Sequence, residues 1–378
     1  MPIAVSAYER LAAEMLEVYE QAETHMLGRV AVRLKKGVDE PGWTETKYAE
    51  VTAVRKELSG LVSGLSGKRK QMSAQFIADA YAESSEAFIA EVRSFEEWAD
   101  MGNLTQNVAK VTSILAELDE SLDAADRMIL RQANDVYADV IGRATSLAAT
   151  GTITVRDAVA DELKRFADRG ITSFVDKAGR HWEMATYAEM ATLTALERAT
   201  IEGYTDTMQA YGFDLAIISS HVGACPLCAA WQGVIISVSG KDSNHPSLAD
   251  AESSGVFHPR CLHHISTYYE GISRGTRSSP RAVQPPDEVY TARSVQRRYE
   301  SSIRRWKRRM AASITPQDER IAYAHVRDYQ AKIRRLLSSY NSTTDMSHDW
   351  LPRKYWREGG EVRLSAAAKK LPPVKLKE

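Results

Sequence analysis

Cysteine is nearly absent from this chain: there are three in 378 residues, at positions 225, 228 and 261. An odd and small number cannot complete a disulfide framework over such a length, which excludes the disulfide-held class of secreted scaffold. Aromatic residues are also scarce, at 8%, and no run approaches the ~18 consecutive apolar residues of a membrane span. The opening residues, Met1-Pro2-Ile3-Ala4-Val5-Ser6, put no charged leader ahead of an apolar stretch. Neither a transmembrane protein nor a signal-bearing secreted protein is expected. With 12 Pro and 21 Gly the chain is too poor in both to be collagen-like or a low-complexity linker. What remains, 44% hydrophobic and 26% charged, is an ordinary foldable composition, long enough for two or three domains at roughly 150 residues each.

Charge of one sign is missing overall but not locally. The whole chain has 49 Lys and Arg against 50 Asp and Glu, yet residues 291–378 hold 21 cations against 9 anions, net +12, leaving 28 against 41, net −13, before them. The body is acidic and the tail basic.

Residues 1–150 read as an N-terminal helical region, rich in Ala, Glu, Leu, Lys and Arg. Val111, Leu115, Leu118, Leu122, Ala125 and Ile129 repeat at 4, 3, 4, 3, 4 and lay one apolar seam along a helix. A helical bundle covers it; self-association through these helices is the alternative. Pro41-Gly42 and Met101-Gly102-Asn103 break the region, and Gly64-Leu65-Ser66-Gly67 is read as a further break.

Residues 151–270 read as a small α+β domain. Thr154-Val155-Arg156-Asp157 has capping-box spacing and opens a helix that Gly170 stops. A hairpin follows over 171–184, then a second capping box, Thr186 to Glu189, opening a helix to about Tyr211, then a buried strand over 213–219. Residues 271–290 have linker composition, and 291–378 form a basic helical arm whose helices, about 294–312 and 316–339, fold back as a hairpin. Beyond Asn341 the chain is expected to be irregular and mobile. The fold class expected is thus mainly α with a small α+β domain.

Chemistry concentrates in His221-Val-Gly-Ala-Cys225-Pro-Leu-Cys228 and His258-Pro-Arg-Cys261-Leu-His263-His264. A Cys-x2-Cys turn presents two thiolates from one zinc-knuckle-like loop, and groups 30 residues on can complete a tetrahedral N/S shell. Zn2+ suits mixed Cys and His ligands, since it imposes little geometry of its own. Cys225, Cys228 and Cys261 are assigned as ligands, with His263 as first choice for the fourth and His258 as second; His221 and His264 are outer donors or bystanders. Four protein ligands close the shell, so the zinc expected is structural. Trp231 is read as a core residue beneath this loop.

In the tail, Arg297, Arg298, Arg304, Arg305, Lys307, Arg308, Arg309, Arg334 and Arg335 surround Trp306 and could neutralise phosphates without reading sequence. Equally, they could face the chain's own acidic helices or an acidic protein partner.

Several ordered motifs resemble one known family. Ile129-Leu-Arg-Gln-Ala-Asn-Asp-Val-Tyr137, Asp176-Lys-Ala-Gly-Arg-His-Trp-Glu-Met184, His221-Val-Gly-Ala-Cys225, Trp231-Gln-Gly233, His258-Pro-Arg-Cys-Leu-His263 and Tyr268-Tyr-Glu-Gly271 look like the phage minor capsid protein 2 family. The resemblance implies a non-enzymatic virion protein of a tailed phage, active in head morphogenesis at the portal vertex or capsid interior. Its implied partners are portal or major capsid protein and packaged double-stranded DNA. The enzymatic alternative is a metal-dependent nuclease carried in the virion, with His263 and His264 as base and ligand. An ADP-ribosyltransferase would need an acidic pair, for which Gln21-Ala22-Glu23 is a match in the wrong, helical context.

Overall fold

The computed structural model describes residues 5–93, 107–170, 174–175, 179, 181–220, 224–259, 261, 263–271, 273, 286–342, 362–374 and 376. The chain is mainly helical. In order, it forms α1 (Val5–Lys35), α2 (Trp43–Val92), α3 (Val108–Ala149), α4 (Val155–Arg169), β1 (Phe174–Val175), β2 (His181–Trp182), α5 (Met184–Ala210), β3 (Leu215–Ile218), α6 (Pro226–Ala229), β4 (Ile235–Ser237), α7 (Leu248–Ser253), β5 (Ile265–Thr267), α8 (Pro286–Ala311), α9 (Pro316–Ser342) and α10 (Ala366–Lys369).

Local signals account for much of this. On α3 the seam is buried at Ile114, Leu118, Leu122, Ala125 and Ile129, with Val111 and Leu115 half-buried beside it. Thr154 caps α4 by accepting the Asp157 amide, and Gly170 ends it at φ 65, donating its N–H to the Phe166 carbonyl. Two readings need correction. The helix α2 runs unbroken through Gly64 and Gly67, because Val54, Leu58, Val62 and Leu65 keep a buried row on one side while both glycines face open space. Each exposed glycine costs a helix only about 1 kcal/mol. The second capping box is also absent: α5 starts two residues before Thr186, whose hydroxyl donates back to the Glu183 carboxylate at 3.0 Å. The break at 101–103 lies outside the described residues.

The residues group into two compact units, neither a single stretch of chain. The first comprises Met1–Met15, Lys70–Leu122 and Glu189–Arg293; the second comprises Leu16–Arg69, Asp123–Ala188 and Ser294–Glu378. The consecutive division drawn from the sequence follows changes of local pattern, whereas long helices contribute different ends to different cores.

In the first unit a three-stranded antiparallel sheet, ordered β4-β3-β5, packs with α2 and α5. Phe88 is fully buried there, edge-on to Tyr204 at 5.5 Å, among Ile89, Met208, Ile218, Ile236 and Ile265. Helices α2 and α5 approach closely at Gly203, where a Cβ would stand 2.5 Å from the Tyr81 carbonyl oxygen. Around this crossing Ser84 and Ser85 donate to the carbonyls of Thr200 and Gly203 at 2.6 and 3.1 Å.

In the second unit, α8 and α9 form the expected antiparallel hairpin, held by Trp306 stacked on His325 at 3.7 Å and Tyr299 against Tyr329 at 5.9 Å. Helix α8 begins at Pro286, so the last residues of the expected linker are helical. Fully buried Arg69 binds Asp126 at 3.1 Å and also pairs with Asp123, while the Tyr19 hydroxyl donates to Asp126 at 2.8 Å. The C-terminal segment, expected to be mobile, is held over residues 362–374: Glu319 accepts from the Ser365 amide and hydroxyl, both at 2.6 Å, and Arg320 donates to the Pro372 and Ala368 carbonyls. No described helix is long and apolar enough to cross a membrane.

Candidate functional site

The sheet of the first unit brings the Cys and His residues together. Strand β3 pairs with β4 through Ile217 and Ile235, and with β5 through Ile218 and Ile265. The segment carrying Cys225 and Cys228 leaves β3 for β4, and the segment carrying His258 and Cys261 enters β5, so both are delivered to the same end of the sheet. Cys225 precedes the single turn α6, with Pro226 in its first position; its carbonyl accepts the amides of Cys228 and Ala229 at 3.1 and 3.0 Å. Phe257, the residue before His258, has φ 58, a left-handed conformation that reverses the chain into the second loop.

Five donors lie there in two overlapping groups that share Cys228: Cys225, Cys228 and His258, and Cys228, Cys261 and His263, each with its ligand atoms within 4.8 Å of one another. The Cys225 Sγ is 3.0 Å from His258 Nε2, Cys228 Sγ is 3.6 Å from Cys261 Sγ, and Cys261 Sγ is 3.3 Å from His263 Nδ1. Cys228, Cys261 and His263 are buried; Cys225 and His258 are half-buried. Burial pushes the Cys228 thiol well above its usual range, and the neighbouring Cys261 adds to it. Cys261 is raised to about 11, by burial and then by the Glu197 carboxyl, itself pushed up by burial. Thiols this deep stay protonated unless a cation offsets the charge. Half-buried Trp231 packs against the same core, as expected. His221 lies outside the described residues.

The second unit sorts the nine basic residues. Arg308 is 3% exposed: its Nε donates to the Ala167 carbonyl at 3.0 Å, and Nη1 meets Glu23 at 3.3 Å and pairs with Glu183. Buried Arg304 reaches Glu183 and Thr186 at 3.3 and 3.1 Å. Burial alone would raise the Glu183 carboxyl, but Arg304 and Arg308 outweigh it and hold it well below the usual range. Lys307 pairs with Glu20 at 2.9 Å, and Arg309 pairs with Asp168 and lies over the Trp306 ring, 4.6 Å from its centre. Of the two readings left open for the tail cations, Arg304 and Arg308 follow the second: they turn inward to the chain's own carboxylates, Glu23 on α1 and Glu183 just before α5. Sequence reasoning missed Glu23 and Glu183, which carry no local signal. Glu23 belongs to the Gln21-Ala22-Glu23 match and is committed to Arg308. Arg305 is half-buried beside Trp306, whereas Arg297, Arg298, Arg334 and Arg335 are exposed.

Comparison with known proteins assigns the class. The family model described as phage minor capsid protein 2 matches residues 4–338. A protein named "Structural protein" from Lactococcus phage LL-H is 28% identical over 239 residues, which cover 59% of this chain and 61% of that protein. The chain thus spans about three fifths of that relative's length. No solved structure matches. These matches define a structural protein of a bacteriophage. More particularly, the chain belongs to the phage minor capsid protein 2 family.

Proposed function

We propose that the protein is a non-enzymatic minor component of a tailed-phage head that docks on portal or major capsid protein and contacts packaged DNA through one end of the α8–α9 hairpin. Family membership over residues 4–338 supports the capsid role. The observation that carries the DNA contact is the sorting of cations in the second unit. The stacked pair Trp306–His325 and the tilted pair Tyr299–Tyr329 set the antiparallel register, which brings exposed Arg297 and Arg298 level with exposed Arg334 and Arg335, away from the connecting turn. Four cations at one end suit a phosphate backbone and carry no base-reading geometry.

The test is equilibrium binding of the full chain to a short DNA duplex at graded salt, with co-purification of portal or capsid protein measured alongside. Neutralising about four phosphates gives a slope of log affinity against log salt near −3.6. Arg297→Ala with Arg298→Ala should reduce that slope by about 2, equally for unrelated duplex sequences. Salt-insensitive binding, or an unchanged slope in the double variant, overturns the DNA contact; absence of the chain from purified particles overturns the capsid role.

A further inference from the structure

We propose that the first unit holds one Zn2+ in a closed tetrahedral shell of Cys225, Cys228, His258 and Cys261, with His263 outside the shell. The argument starts from a repeat. Cys225-Pro226-Leu227-Cys228 and His258-Pro259-Arg260-Cys261 are both ligand-Pro-x-Cys segments. Both close in the same way, the fourth residue's amide donating to the first residue's carbonyl, at 3.1 Å in one and 2.8 Å in the other. Proline in the second position presets the φ that such a turn needs. A turn of this kind presents the side chains of its two ends together, as a zinc knuckle does.

The two turns face each other end to end. Cys225 meets His258 at 3.0 Å and Cys228 meets Cys261 at 3.6 Å. Around a tetrahedral zinc, with Zn–S near 2.3 Å and Zn–N near 2.0–2.1 Å, donor atoms stand about 3.5–3.8 Å apart. The Cys228–Cys261 pair already stands at that spacing, the Cys225–His258 pair stands closer, and Cys228 is common to both groups of donors.

The hydrogen bonds distinguish the histidines. His258 Nδ1 lies 2.9 Å from the Pro259 carbonyl oxygen, which can only accept, so Nδ1 carries the proton and Nε2 offers its lone pair toward Cys225. That is the arrangement by which a backbone carbonyl fixes a metal-bound imidazole. His263 lies two residues beyond the second turn, and its amide donates to Cys261 Sγ at 3.5 Å. Its ring Nδ1 also stands 3.3 Å from that sulfur, so amide and imidazole both support Cys261 as a thiolate ligand from outside the shell. Three thiolates and one imidazole fill the four positions, leaving none for water or substrate, so the zinc clasps the β3–β4 connection to the segment that enters β5.

The experiment uses the full chain, purified with reductant and without chelator. Elemental analysis should find one zinc per chain. Exchange for Co2+ should give the intense visible bands of tetrahedral cobalt with strong thiolate charge transfer in the near ultraviolet. His258→Ala and Cys228→Ser should bind zinc substoichiometrically, and His263→Ala should keep one per chain. The cobalt spectrum of the unaltered chain decides whether the shell is tetrahedral and thiolate-rich even if a cysteine variant does not fold, and the two histidine variants decide which imidazole completes it. Zinc-free protein, a weak octahedral cobalt spectrum, or zinc kept in His258→Ala and lost in His263→Ala each overturns the assignment.

Discussion

Replacing glycine by alanine in a helix ordinarily stabilises it, yet in this protein the sign should depend on which glycine is changed. At Gly203 an added methyl would stand 2.5 Å from the Tyr81 carbonyl oxygen and 3.1 Å from its Cα, both backbone atoms that no rotamer change can move. Restoring ordinary contact requires α2 and α5 to separate by about 0.9 Å, a strain of the kind that costs roughly 1–3 kcal/mol. Separation also stretches the Ser84–Thr200 and Ser85–Gly203 hydrogen bonds, each worth about 1 kcal/mol. Against this the helix gains about 1 kcal/mol from losing glycine's backbone freedom. The net expectation is destabilisation of about 2–4 kcal/mol. Gly64 on α2 has nothing within 4 Å of its Cβ position, so Gly64→Ala should instead stabilise by up to about 1 kcal/mol. Urea unfolding followed by circular dichroism measures both. A Gly203→Ala protein as stable as the unaltered chain, or two variants shifting in the same direction, would refute the close-approach argument.

Three further expectations concern the second unit. Arg308→Ala leaves Glu23 and Glu183 buried without their shared partner and should cost about 3–5 kcal/mol, whereas exposed Arg334→Ala should change stability by less than about 0.5 kcal/mol in the same assay. Because Arg304 and Arg308 lower the Glu183 carboxyl below its unfolded value of 4.5, the stabilisation is present above that pH and is lost as pH falls toward 2; Glu183→Gln should flatten acid unfolding in that window. At the C-terminus, Glu319→Ala removes both bonds to Ser365 and should speed limited proteolysis near residues 362–374 while α9 stays protected, which mass mapping of the fragments reads directly.

What was legible in the sequence was whatever depends on residues close in the chain. The Thr154 cap, the Gly170 stop, the α3 seam, the β3 run and the tail hairpin all rest on spacings of two to seven residues, and each is present. Thr186 misled because its spacing to Glu189 imitates a cap while Glu183, just upstream, captures its hydroxyl. Gly64 and Gly67 misled because a buried row on the opposite face outweighs two permissive residues. The five Cys and His donors could be gathered from their spacing along the chain. Ranking the histidines needed the Pro259 carbonyl, and sorting the arginines needed Glu23 and Glu183, contacts that no local pattern announces.

The cluster around Arg308 also sets an order of events during synthesis. Glu183 precedes Arg308 by 125 residues and Glu23 precedes it by 285. At roughly 5–20 residues per second, about 6–25 s pass between translation of Glu183 and of the arginine that neutralises it. Over that interval neither carboxylate can be sealed from water without its counter-charge, so the earlier helices of the second unit must remain open where α8 will settle. Closure of this unit waits on α8, and a chain that stops before α8 leaves the ribosome with that seam still wet.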